Sequence, residues 1–218
     1  MYSVAEENYI KSIFHLQKAG RNVSTNQLAE KLQTRPASVT DMLKKLQLKK
    51  LLTYEPYYGV KLTPKGNKLA LGIIRRHRLW EYFLVNNLQF GWEEVHAIAE
   101  QLEHVQSDLL IERLDNYLEH PRFDPHGDPI PDNQGNLHPQ HQTPLHEFAL
   151  NQACEICAVG QQDQDLLEML GSRNLHMGTS LTVLKRYGFD RSLEVRLANG
   201  QTVAISETLA KAIFVKPK

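Results

Sequence analysis

Between residues 4 and 18, apolar positions at Val4, Tyr9, Ile10, Ile13, Phe14 and Leu16 recur at the spacing of one helical face. Gly20 and Asn22 interrupt that pattern. Ser24 then stands three residues before Gln27, a capping-box arrangement that opens a second helix through Leu28, Ala29 and Leu32. Pro36 suits the first turn of a third helix, because its missing N–H has no partner to lose there. That helix gathers Val39, Met42, Leu43 and Leu46 on one side and shows Ser38, Thr40, Asp41, Lys44 and Lys45 on the other. The stretch LLTYEPYYGVKLTPKG follows, predicting a strand, a tip around Pro56–Gly59 and a returning strand over Val60–Leu62. Three helices and a hairpin in this order predict a winged helix-turn-helix.

Residues 65–88 continue as one long helix, with Leu69, Ile73, Leu79, Trp80, Phe83 and Leu84 apolar. It carries His77 and Glu81 four residues apart, so both lie on one face. A further helix over 93–106 places His96, Glu100, Glu103 and His104 within an arc of about 100°. Val95, Ile98, Ala99, Leu102 and Val105 fall opposite. Imidazoles and carboxylates without thiolates are the donor set of Mn²⁺, Fe²⁺ and similar divalent ions, not of a structural zinc finger. Residues 107–119 extend the helical pattern, with Leu109, Leu110, Leu114, Tyr117 and Leu118 available for a subunit interface.

From Pro121 to Pro144 the chain turns rich in Pro, Gly, Asn and His, which reads as a linker; metal binding by His126, His138 and His141 is one reading, and solvated linker histidines the favoured one. After Leu145 the period changes to two, with Phe148, Leu150, Cys154, Ile156 and Ala158 alternating with polar neighbours. LTVLKRYG, LEVRLANG and TVAISETLAKAIFV supply further strands, so a small β-barrel is expected. Cys154 and Cys157 are three residues apart, and on a strand such positions face opposite ways; they read as structural. The expected class is mainly α with a C-terminal β domain.

Net charge is zero, but its distribution is not even. Residues 1–80 hold 15 Lys and Arg against five acidic residues, and residues 81–180 hold three against 17. A basic first third suits a polyanion, and an acidic middle suits cations. With two cysteines, no membrane-spanning run and no signal peptide after Met1, the expected setting is a reducing cytoplasm without membrane attachment. On the third helix and wing, Arg35, Pro36, Ser38, Thr40, Asp41, Lys44, Lys45, Tyr57 and Tyr58 are the expected DNA contacts.

EENYIKSIFHL, RPASVTDMLKKL, GVKLTPKG, RRHRLWEYFL and VHAIAEQLEHVQSD together resemble the diphtheria toxin repressor/manganese transport regulator family of bacterial metal-dependent repressors, the iron-dependent repressor family. The resemblance implies a winged helix over 1–64, a helical dimerisation and metal-sensing domain over 65–120, the linker over 121–144, and an SH3-like (FeoA-like) domain over 145–218. It implies a homodimer on palindromic double-stranded operator DNA, activated by Mn²⁺ or Fe²⁺ at two sites per subunit, other divalent transition metals being able to substitute. His77, Glu81 and His96 match the family's ancillary position; Glu100, Glu103 and His104 match its regulatory one. Glu100 stands where iron-responsive members carry Cys and manganese-responsive ones Glu, which leans toward Mn²⁺. The family's first helix adds a ligand at the position of Asn8, which still offers a carbonyl oxygen, and manganese members add Glu where this chain has Lys11. Glu7 is then the available substitute. Gln162, Asp163 and Asp165 stand where the C-terminal domain lends ligands to the ancillary site. Two alternatives stay open: a winged-helix protein with a degenerate sensor that binds DNA without metal, and a metal-dependent hydrolase built on the six His and Glu residues. The latter has no use for a winged helix, and no nucleophile elbow or phosphate loop occurs.

Overall fold

A computed structural model describes residues 2–17, 22–138, 141–160 and 164–218. The chain divides into two compact units. The first comprises Met1–His77, Glu100–Leu114 and Pro131–Leu137; the second comprises Arg78–Ala99, Asp115–Ile130 and His138–Lys218.

In the first unit, α1 (Val4–Leu16), α2 (Thr25–Lys31) and α3 (Pro36–Leu48) precede β1 (Leu52–Glu55) and β2 (Gly59–Leu62), and α4 (Pro64–Leu88) begins. Local chemistry sets each start. Ser3 and Glu6 close a capping box on α1, and Ser24 and Gln27 close another on α2, each satisfying otherwise orphaned N–H groups. Pro36 occupies the first turn of α3. Ile10, Ile13, Leu28, Val39, Leu43, Leu46, Leu51, Val60 and Ile73 make one buried cluster. The hairpin pairs Leu52 with Leu62 and Glu55 with Gly59, and Val60 bridges Val23. At Gly59 the backbone is left-handed (φ +97°), and a Cβ would stand 2.6 Å from the Val23 carbonyl oxygen, so only glycine lets the wing close on that strand. This is the winged helix-turn-helix read from the sequence.

The metal-rich helix differs from expectation. In place of one helix over 93–106, α5 covers only Val95–Leu102, and Glu103 and His104 lie in the turn that follows. The expected single stripe is therefore broken: Glu103 is fully buried, Glu100 is exposed, and Val105, assigned to the apolar side, is exposed too. α6 covers Asp108–Tyr117; Leu114 and Leu118 are buried within the chain, leaving Leu109, Leu110 and Tyr117 outward.

In the second unit a six-stranded sheet runs in the order β3-β8-β4-β5-β6-β7. Its strands are β3 (Thr143–Pro144), β4 (Ala153–Val159), β5 (Ser180–Arg186), β6 (Leu193–Leu197), β7 (Thr202–Ile205) and β8 (Ile213–Pro217). Two helices were not foreseen. α7 covers Gln164–Ser172, and α8 covers Glu207–Ala212, capped by Ser206, inside the segment read as continuous strand. The period-two pattern also begins later than expected: residues 145–147 form a 3-10 turn and Leu150 is exposed. Within β4 the register shifts between Ile156 and Ala158, which buries Cys157, Ala158 and Val159 in succession. Cys154 and Cys157 are both buried as thiols, and burial pushes the Cys154 thiol up to about 11.

The supposed linker is largely structured. Asp124 Oδ1 accepts from the backbone N–H of His126 (2.8 Å) and of Asp128 (2.9 Å), and Asp132 Oδ1 accepts from Gln134 and Asn136, each at 2.8 Å. Two successive Asx turns thus replace a solvated stretch.

Candidate DNA-binding surface and metal centres

On α3, Arg35, Pro36, Ser38, Asp41, Lys44 and Lys45 are exposed. Thr40 is half-buried, and its hydroxyl donates to the Pro36 carbonyl at 3.0 Å. Tyr57 and Tyr58 are exposed at the wing tip, and Tyr57 holds a left-handed conformation (φ 70°) uncommon for a bulky residue. Lys45 is also engaged internally. Its ammonium lies 3.1 Å from Glu6 Oε1, with Lys49 at 2.6 Å from the same oxygen. Burial works against ionising Glu6, but the two ammoniums and the Ser3 N–H prevail and bring its carboxyl down to about 2.

A polar cluster of the first unit assembles around Glu7 and Glu103. Glu7, buried on α1, accepts from Arg76 (2.9 Å) and pairs with His104 Nδ1 (2.6 Å). Glu103 pairs through Oε2 with His77 Nδ1 (2.6 Å) and through Oε1 with Lys11 Nζ (2.6 Å). Burial opposes its charge, but the His77 hydrogen bond and the nearby ammonium hold its carboxyl below the usual range. Lys11 also reaches Glu100 Oε1 at 3.3 Å. Each histidine that gives its Nδ1–H to a carboxylate keeps its Nε2 lone pair, the form in which imidazole ligates metal. Asn8, half-buried on the same helix, is absent from these pairs.

The second unit holds a different cluster. Glu81, Asp124 and His126 are buried, and one ligand atom from each lies within 4.8 Å of the others. His126 Nε2 meets the Trp92 carbonyl at 2.8 Å, and a carbonyl can only accept, so Nε2 carries the proton. In the neutral ring Nδ1 is then a buried lone pair, 3.9 Å from Glu81 Oε2 and without a hydrogen-bond partner among the described residues. His96 Nδ1 adds a contact of 3.3 Å to Glu81 Oε1. Burial, followed by the charges of Glu81 and Asp128, pushes the Asp124 carboxyl well up, Arg78 only partly offsetting them. An orphaned imidazole nitrogen amid buried carboxylates fits a divalent cation of Mn²⁺ or Fe²⁺ type.

The six predicted His and Glu ligands are divided between the two units as follows. His77, Glu100, Glu103 and His104 belong to the first unit, Glu81 and His96 to the second. Among the described residues Glu100, Glu103 and His104 do not converge as Glu81, Asp124 and His126 do. Asp165 is exposed in the first turn of α7, whereas Gln162 and Asp163 lie outside the described residues. His138 and His141 are exposed, as read from the sequence. Sequence reasoning missed Asp124, whose signal is the DPHGD turn, weighed His126 as a ligand but favoured a solvated position for it, and missed the pairing of Lys11.

Three family descriptions cover most of the chain. They are "Iron dependent repressor, N-terminal DNA binding domain" over residues 1–60, "Iron dependent repressor, metal binding and dimerisation domain" over 63–132, and the FeoA domain over 143–217. The iron-dependent repressor IdeR of Mycobacterium leprae is 34% identical over 125 residues, covering 57% of this chain and 54% of that protein. Against this and similar relatives the match spans about half their length. The diphtheria toxin repressor of Corynebacterium efficiens is 26% identical over 220 residues, covering 96% of this chain and 94% of that one. A solved structure described as a manganese-dependent transcriptional repressor in complex with manganese superposes with a TM-score of 0.85 at 34% identity, over 98% of this chain and all of that one. With that similarity sustained along the chain, and a winged helix, buried carboxylate–histidine clusters and a FeoA domain in the matching order, this chain belongs to the iron-dependent repressor family.

Proposed function

We propose that the chain is a metal-activated transcriptional repressor that binds palindromic operator DNA as a homodimer, with Mn²⁺ or Fe²⁺ as its activating ion. The observation that carries this reading is the bond between Glu7 on α1 and His104 after α5, 2.6 Å long. It ties the DNA-binding helices to a carboxylate–imidazole cluster whose donors suit such ions.

In this reading α3 meets the major groove. Ser38 and Lys44 take phosphate oxygens, Arg35 and Asp41 face base edges, and Tyr57 and Tyr58 lie along the backbone from the wing. Glu100, Glu103 and His104, with Glu7 from α1, hold the regulatory ion. Glu81 and His96 serve the ancillary position, with Asp124 and His126 beside Glu81. A bound ion supplies positive charge and directional bonds to oxygen and nitrogen donors. The chain's contribution is to aim those donors: Trp92 fixes the tautomer of His126, Arg76 orients Glu7, and burial keeps water from Glu103. Exposed Leu109, Leu110 and Tyr117 on α6 support pairing of two copies. These clusters are assigned to ligation and ion pairing and not to catalysis. Among the described residues no helix is long and apolar enough to cross a membrane.

The test is operator-like duplex binding by the full chain with Mn²⁺, with Fe²⁺ and with chelator, for wild type and His104→Ala. Metal should tighten binding at least tenfold in wild type and not in the variant. Equal affinity under all conditions would favour the metal-independent reading instead.

A further inference from the structure

The regulatory carboxylates already have a cation. Lys11 Nζ stands 2.6 Å from Glu103 Oε1 and 3.3 Å from Glu100 Oε1, so one ammonium bridges the two carboxylates that the proposed function assigns to the ion. Its side chain is only 14% exposed and Glu103 not at all, so the Glu103 half of the bridge is sheltered from solvent, while Glu100 is 53% exposed. An unpaired carboxylate at the Glu103 position would be costly; His77 reaches only its other oxygen, and His104 Nε2 stands 3.7 Å from Oε1, beyond hydrogen-bond distance. The same bridge joins α1 to the turn after α5, alongside the Glu7–His104 bond.

We propose that Lys11 is a tethered resident cation of the regulatory site, which a divalent ion must displace in order to bind Glu100 and Glu103. This rests on the reading of Glu100, Glu103 and His104 as the regulatory ligands. A lysine ammonium cannot share those oxygens with a doubly charged ion at ligand distance, because like charges repel strongly where water is excluded. Its four-carbon stem is flexible enough to withdraw. Two consequences follow. Metal affinity is set lower than the donor set alone would give, since each binding event must break two ion pairs. The metal-free protein also keeps α1 fastened to the sensing turn, so the metal-free and metal-loaded states differ less at this joint than they would around an empty carboxylate pair.

The test uses full-length Lys11→Met and Lys11→Gln beside wild type and His104→Ala. Mn²⁺ binding is followed by titration calorimetry and electron paramagnetic resonance, and thermal midpoint is recorded in chelator. Loss of the ammonium should tighten the His104-dependent Mn²⁺ site tenfold or more and should lower the midpoint in chelator, with Mn²⁺ restoring it. If one variant fails to fold, the other carries the test, since Gln keeps a hydrogen bond to Glu103. The folded wild type gives an independent readout: in lysine-labelled protein, Zn²⁺ should move the Lys11 ε-methylene resonance in step with site filling. Unchanged or weaker Mn²⁺ affinity in the lysine variants, or an unmoved Lys11 resonance, overturns the proposal while the regulatory reading stands. If His104→Ala removes no Mn²⁺ in any background, the regulatory reading fails first and takes the proposal with it.

Discussion

Glu6 and Glu7 are neighbours on α1, both buried, yet their carboxylates serve different partners. Glu6 accepts from Lys49 at 2.6 Å and pairs with Lys45 at 3.1 Å, both on or just after the recognition helix. Glu7 pairs with Arg76 at 2.9 Å and with His104 at 2.6 Å. Adjacent side chains on a helix diverge by about 100°, so one turn of α1 can hold the DNA-reading helix with one residue and the sensing cluster with the next. Whatever restrains α1 through Glu7 is felt, one residue away, by the group that holds α3.

Glu6→Gln should therefore loosen α3 without touching metal stoichiometry. Replacing the carboxylate leaves two lysines without their shared partner and removes the acid from the capping box, a loss of about 1–2 kcal/mol. The ion pairs also give a pH signature. With the folded carboxyl at about 2 against an ordinary 4.5, the stabilisation is complete above about pH 4.5 and fades as pH falls toward 2. Urea unfolding in chelator at pH 7 and pH 3 measures both: the gap between wild type and variant should shrink at the lower pH.

Asp124→Asn should act in opposite senses on the two states of the protein. The buried carboxyl titrates well above its usual value, held there by burial and then by Glu81 and Asp128. A carboxyl whose folded pKa is raised costs stability once pH exceeds its unfolded pKa near 3.8, so at neutral pH the neutral amide relieves a penalty. Asn keeps an oxygen for the His126 and Asp128 N–H groups. The melting midpoint in chelator should rise by about 2–4 °C. The further rise on adding Mn²⁺ should shrink, because a carboxylate donor is gone.

The winged helix was legible because each of its parts is encoded locally: capping residues at Ser24, a proline at Pro36, a tip ending in Gly59, and apolar periodicity between them. The helical repeat of His96, Glu100, Glu103 and His104 was misleading for a physical reason. Periodicity states which face a residue would take if the helix continued, but α5 stops at Leu102, and burying Glu103 depends on ion pairs with His77 and Lys11 from distant segments. Lys11 looked like a lost ligand because sequence shows its charge and not its partner. His126 looked solvated because proline and glycine usually mark exposed turns, whereas here the Asx turn is folded under Trp92, ring against ring at 5.9 Å. α8 was hidden among β-formers because Ser206 caps a helix of only six residues.

Gly127→Ala probes that turn directly. The residue has φ +87°, and a Cβ there would stand 2.1 Å from the Cys157 carbonyl oxygen and 2.6 Å from Ala158 Cα. These neighbours are strand backbone and cannot step aside, so the turn must move. A cost of about 2 kcal/mol or more is expected from the left-handed backbone and the clash together. Shifting the turn also displaces His126 Nδ1 from Glu81. Calorimetry should show the loss of one Mn²⁺-binding event together with a lower melting midpoint, while the His104-dependent event persists.

Lys44→Ala and Arg35→Ala separate two kinds of DNA contact on α3. Both side chains are exposed. Lys44 lies along the helix where an ammonium can neutralise a phosphate, and such contacts add affinity without reading sequence. Removing it should weaken binding to operator and unrelated duplex alike, and should reduce the slope of log affinity against log salt by about 1. Arg35 immediately precedes Pro36 at the N-terminus of α3, the end that enters the groove in this motif, and its planar guanidinium suits two acceptors on one guanine. Its removal should cost about 1–3 kcal/mol on operator and much less on unrelated DNA. Salt-dependent anisotropy titrations in saturating Mn²⁺ distinguish the outcomes. Equal losses on both duplexes for Arg35→Ala would make it a phosphate contact and move base reading further along the helix, toward Ser38 and Asp41.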